Sequence, residues 1–442
     1  MTILEDARAV IDEGPVCDAC LGRCFADRSF GLTNAERGKG LRTAAALDDD
    51  EPYESVDPET CWVCEGRCAE FDEWAERAAD AVEDVEFDTY QVGTRAPPLV
   101  EENEELLRES AGLDADAGER FKSEFNREVG KRFGELTGTE VDFERPDVLA
   151  LLDLGEDEVD VQVNAAFVYG RYRKLERDIP QTEWPCRECN GTGRKNHEPC
   201  DHCDGTGYMY MESVEELVAP YIRDAMDGES AKFHGAGRED VDARMLGTGR
   251  PFVVEVKEPR VRHIDVEAVE EEINEANEDR VEVEGLRLAT YDMVERVKEL
   301  DASKEYRAEV EFDEPVTEMA FHEALDDLRG TTVEQRTPER VSHRRAAKTR
   351  TREVYDVSGE LHDELHATVD VHGEGGLYIK ELVSSDEGRT EPSLAGLLGV
   401  DAVVTALDVI TVEGEEESFE DEDYFRDTEE RGDTGEQSET EE

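Results

Sequence analysis

Between Gly235 and Phe252 the chain reads G-A-G-R-E-D-V-D-A-R-M-L-G-T-G-R-P-F. Glycines permit tight turns and let a ligand approach the backbone. A guanidinium two residues before a carboxylate, as Arg238 stands before Asp240, can hold that carboxylate ionised and aim it. Three arginines in one loop stand out in a chain with 49 Lys+Arg against 116 Asp+Glu. A carboxylate so placed can serve as nucleophile or base. Asp242 competes for the role but lacks the Arg-x-Asp spacing, and a solvated surface turn is the plain alternative. Far downstream, G-G-L-Y-I-K-E-L sets Tyr378 and Lys380 two residues apart. On a strand both would face one side; Lys380 is a candidate cation partner for Asp240.

The ten cysteines form two further constellations. Cys17-x-x-Cys20 and Cys61-x-x-Cys64 are each followed by a further cysteine, Cys24 and Cys68. Two such knuckles suit one tetrahedral zinc ion, because each presents two thiolates. Cys186-x-x-Cys189 and Cys200-x-x-Cys203 belong to an internal repeat, C-x-x-C-x-G-x-G. Its glycines permit turns that aim backbone N–H groups at sulfur. We therefore expect two structural zincs, at Cys17/Cys20/Cys61/Cys64 and at Cys186/Cys189/Cys200/Cys203. Free buried thiols are the alternative. The second repeat resembles the zinc modules of J-domain chaperones, where it normally occurs four times rather than twice.

These groups need elements to position them. Phe252–Val256 reads as a strand directly after the Asp240 loop. Phe87–Gly93 alternates like a strand, and Phe121, Phe125, Val129 and Phe133 form one helical face that also bears Lys122, Arg127, Lys131 and Arg132. Asp147–Leu152 and Val159–Val163 read as paired strands, the second leading into F-V-Y-G-R-Y-R-K-L. Ser213 and Glu216 are spaced as a capping box. Val266–Ile273 and Ala320–Arg329 predict helices. Arg280–Thr290, Glu305–Phe312, His366–His372 and Ala402–Val412 predict strands. Residues 335–355 form the most basic stretch, with Arg336, Arg340, Arg344, Arg345, Lys348, Arg350 and Arg352 opposed by Glu339 and Glu353. Phosphate contact is the expected use of so many cations; an ion-pair strap over the acidic surface is the alternative.

A chain of 442 residues suggests several domains. The net charge of −67 ordinarily argues against nucleic acid. Acidic residues are spread throughout, as in a surface suited to high salt, where long-range repulsion is screened. Local basic patches then carry the information. The N-terminus lacks a signal-peptide apolar core, and no apolar run is long enough to cross a bilayer. The expectation is a cytoplasmic protein without a membrane, in which cysteines bind metal rather than form disulfides. The last thirty residues carry 16 acidic and two basic residues and predict a disordered tail.

Taken together, G-R-E-D-V-D-A-R-M-L-G-T-G-R-P-F, the basic stretch and G-G-L-Y-I-K-E-L resemble the archaeal tRNA pseudouridine synthases that modify uridines 54 and 55. N-R-E-V-G-K-R, R-P-D-V, Y-G-R-Y-R-K-L and I-P-Q-T-E-W resemble the THUMP RNA-binding domain of that family. The resemblance implies isomerisation of uridine to pseudouridine in the T arm of tRNA, structural zinc and no organic cofactor. It implies Asp240 as the catalytic carboxylate, and Tyr306 as the aromatic that stacks on the flipped uracil. Tyr378, Lys380, Arg344 and Arg345 are the further expected substrate-binding residues. Related synthases often carry Arg where Lys380 stands.

The implied fold is multi-domain α+β. It comprises a zinc-knuckle region (1–78), a THUMP-like domain (79–182), a zinc-ribbon-like insert (183–210), a mostly antiparallel-sheet synthase domain (211–412) and the acidic tail (413–442). A non-catalytic, zinc-stabilised tRNA-binding module leaves the G-R-E-D and Y-I-K-E-L motifs unexplained. A THUMP-linked methyltransferase or thiolase would need a G-x-G-x-x-G or a pyrophosphatase loop, and Asp240 stands where the third glycine would be.

Overall fold

The computed structural model describes residues 2–300, 302–341, 347–412 and 421–426. It divides into two compact units, Met1–Ala165 with Glu258–Arg262, and Ala166–Lys257 with His263 onward. Both mix helices with sheets, as the sequence implies.

In the first unit, the expected aromatic helix runs Phe121–Thr137 and buries Phe121, Phe125, Val129 and Phe133. It packs on a four-stranded sheet ordered Glu140–Val141, Thr89–Arg95, Val148–Asp153, Glu158–Val163. Thr89–Arg95 pairs parallel to both its neighbours; the last pair is antiparallel. Phe133 meets Tyr90 and Phe87 at ring distances of 4.8 and 5.9 Å. The helix's cations are largely neutralised locally. Arg127 reaches Glu119 at 3.0 Å, and Arg132 reaches Glu128 at 3.0 Å. Ahead of this sheet, helices Asp18–Arg23 and Asn34–Asp48 cross at two glycines. A Cβ on Gly22 would lie 1.8 Å from the Asn34 carbonyl, and one on Gly38 1.8 Å from that of Asp18.

The second unit is built on a ten-stranded sheet. Its order is Val281–Ala289, Ala166–Lys174, Arg244–Lys257, Ala402–Val412, Lys304–Phe312, His366–Gly373, Thr349–Asp363, Thr331–Arg336, Thr390–Glu391, and Ser230–Gly235 also pairs with Arg244–Lys257. Every pairing among the described residues of this sheet is antiparallel except one. Arg244–Lys257 meets Ala402–Val412 in parallel, through Arg244 opposite Asp408 and Met245 opposite Val409. The strand that begins at Arg244 leaves the Asp240 loop at this junction. Ser213 caps the helix Val214–Ala225, its hydroxyl accepting from the Glu216 N–H at 3.2 Å and donating to the Glu216 carboxylate at 2.7 Å.

Three expectations are corrected here. Ala166–Lys174, read with the THUMP-like domain, instead lies between two strands of the large sheet, so the division falls at 165/166 rather than at 182. Its tyrosines explain this, since Tyr169 and Tyr172 are buried within the second unit. Ile379–Ser384 is a short helix with Tyr378 at its N-cap, so Tyr378 and Lys380 do not share a strand face. Within the acidic tail, 421–426 is ordered. Phe425 is buried, packs edge-on to Tyr169 at 5.7 Å and lies under the Arg287 guanidinium at 3.6 Å. Tyr424-Phe425 supplies an apolar anchor that the tail's overall composition conceals.

Candidate active site

The Asp240 loop joins Ser230–Gly235 to Arg244–Lys257 and is held from below by buried charge. Glu239 is 9 % exposed; its carboxylate lies 2.9 Å from Arg250 Nε and 3.5 Å from Lys174 Nζ, and accepts from the Tyr172 hydroxyl at 3.0 Å. Burial alone would raise the Glu239 pKa, but Arg250 and Lys174 outweigh it and hold the carboxyl below its ordinary value. Lys174 also donates to the loop carbonyls of Asp240 at 3.3 Å and Val241 at 3.1 Å. Arg177 donates to the Asp242 carbonyl at 2.9 Å and to the Leu407 carbonyl at 2.7 Å, tying the loop to Ala402–Val412. Arg177 and Arg244 both grip the Asp408 carboxylate, each at 2.6 Å. Beyond the loop, Gly247 is held at φ +55, and a Cβ there would fall 1.9 Å from the Ile410 carbonyl.

The loop therefore presents Asp240 upward from a rigid base, and two cations meet it. Arg340 Nη1 lies 3.0 Å from Asp240 Oδ2, and Lys380 Nζ lies 3.6 Å from the same oxygen. Lys380 is held more closely by Asp242, at 2.7 and 2.9 Å. Burial pushes the Asp242 carboxyl up, but the Lys380 hydrogen bond and charge bring it below its usual value. The assignment of Lys380 as principal partner of Asp240 is thus revised, because Arg340 is closer. Arg238, two residues before Asp240, forms no ion pair with any described residue. Arg340 is itself fixed by Glu381, which is buried and lies 2.7 Å away. Burial lowers the Arg340 pKa, but the hydrogen bond to Glu381 and the charge of Asp240 more than offset it, so Arg340 stays charged.

Asp240, Arg340, Lys380, Tyr306, Tyr378 and Lys304 line one cleft of about 270 Å³, floored by Leu407 and Val409. Tyr306 lies on Lys304–Phe312, opposite Val371 and Val409 in register. Burial first, then the Asp240 charge, pushes its phenol up to about 12, while Arg250 works against them. Tyr378 is clamped by buried Gln335, which accepts from the Tyr378 N–H and donates to its carbonyl, both at 2.9 Å. Arg350 stands 5.9 Å from the Tyr378 ring centre. The expected trio of Asp240, Tyr306 and Lys380 is brought together, and Tyr378 joins it.

The basic stretch divides. Arg340 serves Asp240, and Arg352 lies 3.1 Å from Glu374. Arg336, Lys348 and Arg350 form no ion pair among the described residues. Arg344 and Arg345 lie outside the described residues.

Both cysteine groups assemble. Cys186, Cys189, Cys200 and Cys203 are buried with their sulfurs all within 4.8 Å of one another. Cys186 and Cys200 are 4.0 Å apart, and Cys189 and Cys203 3.7 Å. A tetrahedral ion with metal–sulfur bonds of about 2.3 Å would space its ligands at about 3.8 Å, so the donor set fits. The Gly207 N–H donates to the Cys203 sulfur at 3.2 Å, as the glycine repeat suggested. In the first group the gathered sulfurs are those of Cys17, Cys20, Cys64 and Cys68, with Cys17 and Cys64 3.8 Å apart. The expected set has Cys61 in place of Cys68, and the Cys61 sulfur also lies against those of Cys17, Cys20 and Cys64, so five sulfurs converge here. The turn at Gly66, with φ +88, and the short helix Arg67–Ala69 fold Cys68 back toward Cys64. Cys61 lies alongside, accepting from the Cys17 N–H at 3.2 Å. Buried Arg23 points at the group from 3.3 Å (Cys20) and 3.6 Å (Cys68), a fitting neighbour for thiolates.

Lys174 and Arg177, which brace the loop, and Gln335, which clamps Tyr378, were not singled out from sequence; Glu239 and Arg250 stood out in the Gly235–Phe252 run, but not as a buried pair beneath it. Nothing local marks a buried Lys or Gln; only the Y-G-R-Y-R-K-L run hinted at Lys174.

Comparison with known proteins adds a separate line. Residues 167–413 match the family described as "Pus10, C-terminal", and residues 74–153 match "Pus10 THUMP domain, archaeal". A protein of Halorubrum lacusprofundi named "tRNA pseudouridine synthase Pus10" is 69% identical over 426 residues, covering 96% of this chain and 100% of its own length. Proteins of the same name from Methanothrix thermoacetophila and Methanopyrus kandleri are 44% and 43% identical, covering 93% and 89% of this chain and 95% and 94% of their own lengths.

Proposed function

The chain belongs to the Pus10 family of tRNA pseudouridine synthases, and from that premise we propose that it isomerises uridines 54 and 55 in the T arm of tRNA with Asp240 as its catalytic carboxylate. The observation that carries the assignment of Asp240 is its pairing with Arg340 at 3.0 Å in the cleft that Tyr306 also lines.

The reaction breaks the N1–C1′ bond, turns the uracil and joins C5 to C1′; the C5 proton is lost and N1 gains one. No electrons leave the substrate. A uridine within a folded arm must first leave its stack for a side chain to reach its ribose. Asp240 then either attacks C1′ or removes a ribose proton, and both roles need an ionised carboxylate. Arg340 supports that state, and Lys380 supplies a second charge. Tyr306 offers a ring face to the freed uracil. Its hydroxyl stays protonated at neutral pH, so it enters as a hydrogen-bond partner and not as a standing phenolate. Tyr378, fixed by Gln335, lines the same cleft.

Zinc at the two cysteine groups would be structural. Each has four sulfurs and leaves no open position for substrate. Cys17, Cys20, Cys64 and Cys68 would hold one ion, and Cys186, Cys189, Cys200 and Cys203 the other. Bound zinc would fix these folds and supply no step of the reaction.

The test is to map pseudouridine in an unmodified tRNA transcript after incubation with the purified chain. Modification at 54 and 55 is expected, with none from Asp240→Asn and retained activity from Asp242→Asn. An active Asp240→Asn beside an inactive Asp242→Asn would transfer the role to Asp242.

A further inference from the structure

We propose that Trp184 and Tyr210, at the base of the four-cysteine hairpin, form a stacking wall for an RNA base flanking the reacting uridine. This rests on the reading of the Asp240 cleft as a uridine site. A groove of about 450 Å³ carries Trp184, Arg187 and Tyr210 on the same lining as Arg238, Asp240 and Arg340. Asp240 and Arg340 are shared with the cleft already described, so the groove is its continuation.

The two aromatics are placed by the hairpin's own closure. Pro185 and Tyr208 form an antiparallel bridge, and the Met209 N–H donates to the Trp184 carbonyl at 2.9 Å. The chain therefore enters and leaves the hairpin side by side. This sets the Trp184 and Tyr210 rings 5.5 Å apart at 38°. Their position is also fixed relative to Asp240. The segment just before Trp184 reaches the catalytic loop through Gln181, which donates to the Gly237 carbonyl at 2.9 Å, and through the Asp178 N–H, which donates to the Val241 carbonyl at 2.9 Å.

Two observations point to RNA as the occupant. Trp184 and Tyr210 remain half-buried, whereas the core rings Tyr172 and Phe252 are fully enclosed. Arg187 and Arg238, on the same lining as the pair, form no ion pair with any described residue, although 116 carboxylates are present in the chain. An aromatic face in one groove with guanidiniums that have no ion-pair partner suits a base with its phosphates. The groove also carries carboxylates: Glu239, Asp240 and Asp242 are paired with Arg250, Arg340 and Lys380, while Asp178 and Glu183 have no ion-pair partner among the described residues. Stacking tolerates any base, so the wall fixes where the RNA lies without reading its sequence. Extruding a uridine unstacks its neighbour, and the wall offers that neighbour a new surface.

The experiment uses the full chain and unmodified tRNA transcript. Trp184→Ala and Tyr210→Ala should each raise KM for tRNA by about tenfold while kcat is kept; Trp184→Phe and Tyr210→Phe should restore KM. The effect should persist at molar salt, because stacking is not screened as phosphate contacts are. Tryptophan fluorescence should be quenched by tRNA in the wild type and not in Trp184→Phe, which retains Trp62 and Trp74. Wild-type KM in Trp184→Ala, or equal losses in the Ala and Phe variants, would overturn the proposal. So would a fall in kcat accompanied by loss of bound zinc, which would mark a structural role. If the wild type forms no pseudouridine, the reaction assigned to the cleft fails, and the fluorescence quench decides on the wall independently.

Discussion

Replacing Glu239 by Gln keeps the shape of the residue beneath Asp240 and removes its charge. In the wild type that charge sits between Arg250 at 2.9 Å and Lys174 at 3.5 Å, with all three side chains at most 1 % exposed. Removing one partner of a buried ion pair costs about 3–5 kcal/mol, because the other charge is left without compensation. Lys174 has an escape: burial already lowers its pKa, and it can lose its proton. Arg250 has none, so the penalty persists at neutral pH. With a urea slope of about 3 kcal/mol per molar for a unit of this size, the midpoint should fall by about 1–1.7 M. The loss should change little with salt, since water and ions do not reach the pair. The pH dependence provides a second check. The folded Glu239 pKa is depressed below its ordinary 4.5, so its stabilisation is present above that value and disappears as pH falls through the lower folded one. Glu239→Gln should lack that acid-side loss. Pseudouridine formation should also slow, since Lys174 holds the carbonyls of Asp240 and Val241. Urea melts at several pH values and single-turnover kinetics make the measurement. A midpoint within 0.3 M of the wild type, with an unchanged rate, would refute the claim that this buried pair braces the loop.

Other perturbations separate the remaining parts of the site. Arg340→Gln removes the nearest cation from Asp240 and should reduce kcat by about 10²-fold in single-turnover assays, while tRNA binding measured by filter retention changes less. Tyr306→Phe keeps the ring, and its pH–rate profile between pH 7 and 10 should match the wild type in shape, since burial holds the phenol near 12. The fold disfavours the phenolate, so stability should fall as pH rises from the ordinary phenol value of 10.0 toward about 12, which alkaline melts can follow. Gly247→Ala would drive a Cβ to 1.9 Å from the Ile410 carbonyl at φ +55 and should destabilise the second unit, as calorimetry would show. Cys68→Ser should reduce bound metal by elemental analysis more than Cys61→Ser does, because Cys68 completes the gathered sulfurs.

Most elements were legible because their residues carry a period. The helix at Phe121–Thr137 follows from four apolar residues at regular spacing, and Ala402–Val412 was read to its ends. Misreadings arose where tertiary pairing overrode local pattern. Y-I-K-E-L alternates well enough for a strand, but the sheet strand before it already ends at Gly373, and Gln335 fixes Tyr378 as a helix cap. Ala166–Lys174 is adjacent in sequence to the first unit's strands, yet its buried tyrosines belong to the other core. In the site, Asp240, Tyr306 and Lys380 were readable from motifs. The role of Arg340 was not, because it arrives from a hundred residues downstream inside a run that looks uniform in charge. The same holds for Cys68 against Cys61: the C-x-x-C spacing names two cysteines, while the turn at Gly66 delivers a third.

A net charge of −67 and a tRNA substrate are reconciled by where the cations are spent. On the Phe121–Thr137 helix, Arg127 and Arg132 are matched by Glu119, Glu128 and Asp72, so that basic face is largely neutral. Around the Asp240 cleft the pattern reverses. Arg340 and Lys380 face carboxylates that belong to the proposed chemistry. Arg187 and Arg238 in the groove, and Arg336, Lys348 and Arg350 in the basic stretch, have no ion-pair partner among the described residues. In molar salt such cations gain little from long-range attraction, and contacts to phosphate weaken steeply as salt rises. Affinity must then come from interactions that salt does not screen. That requirement gives physical weight to aromatic surfaces beside the cleft, and it predicts that cation substitutions matter most at low salt while ring substitutions matter at every salt.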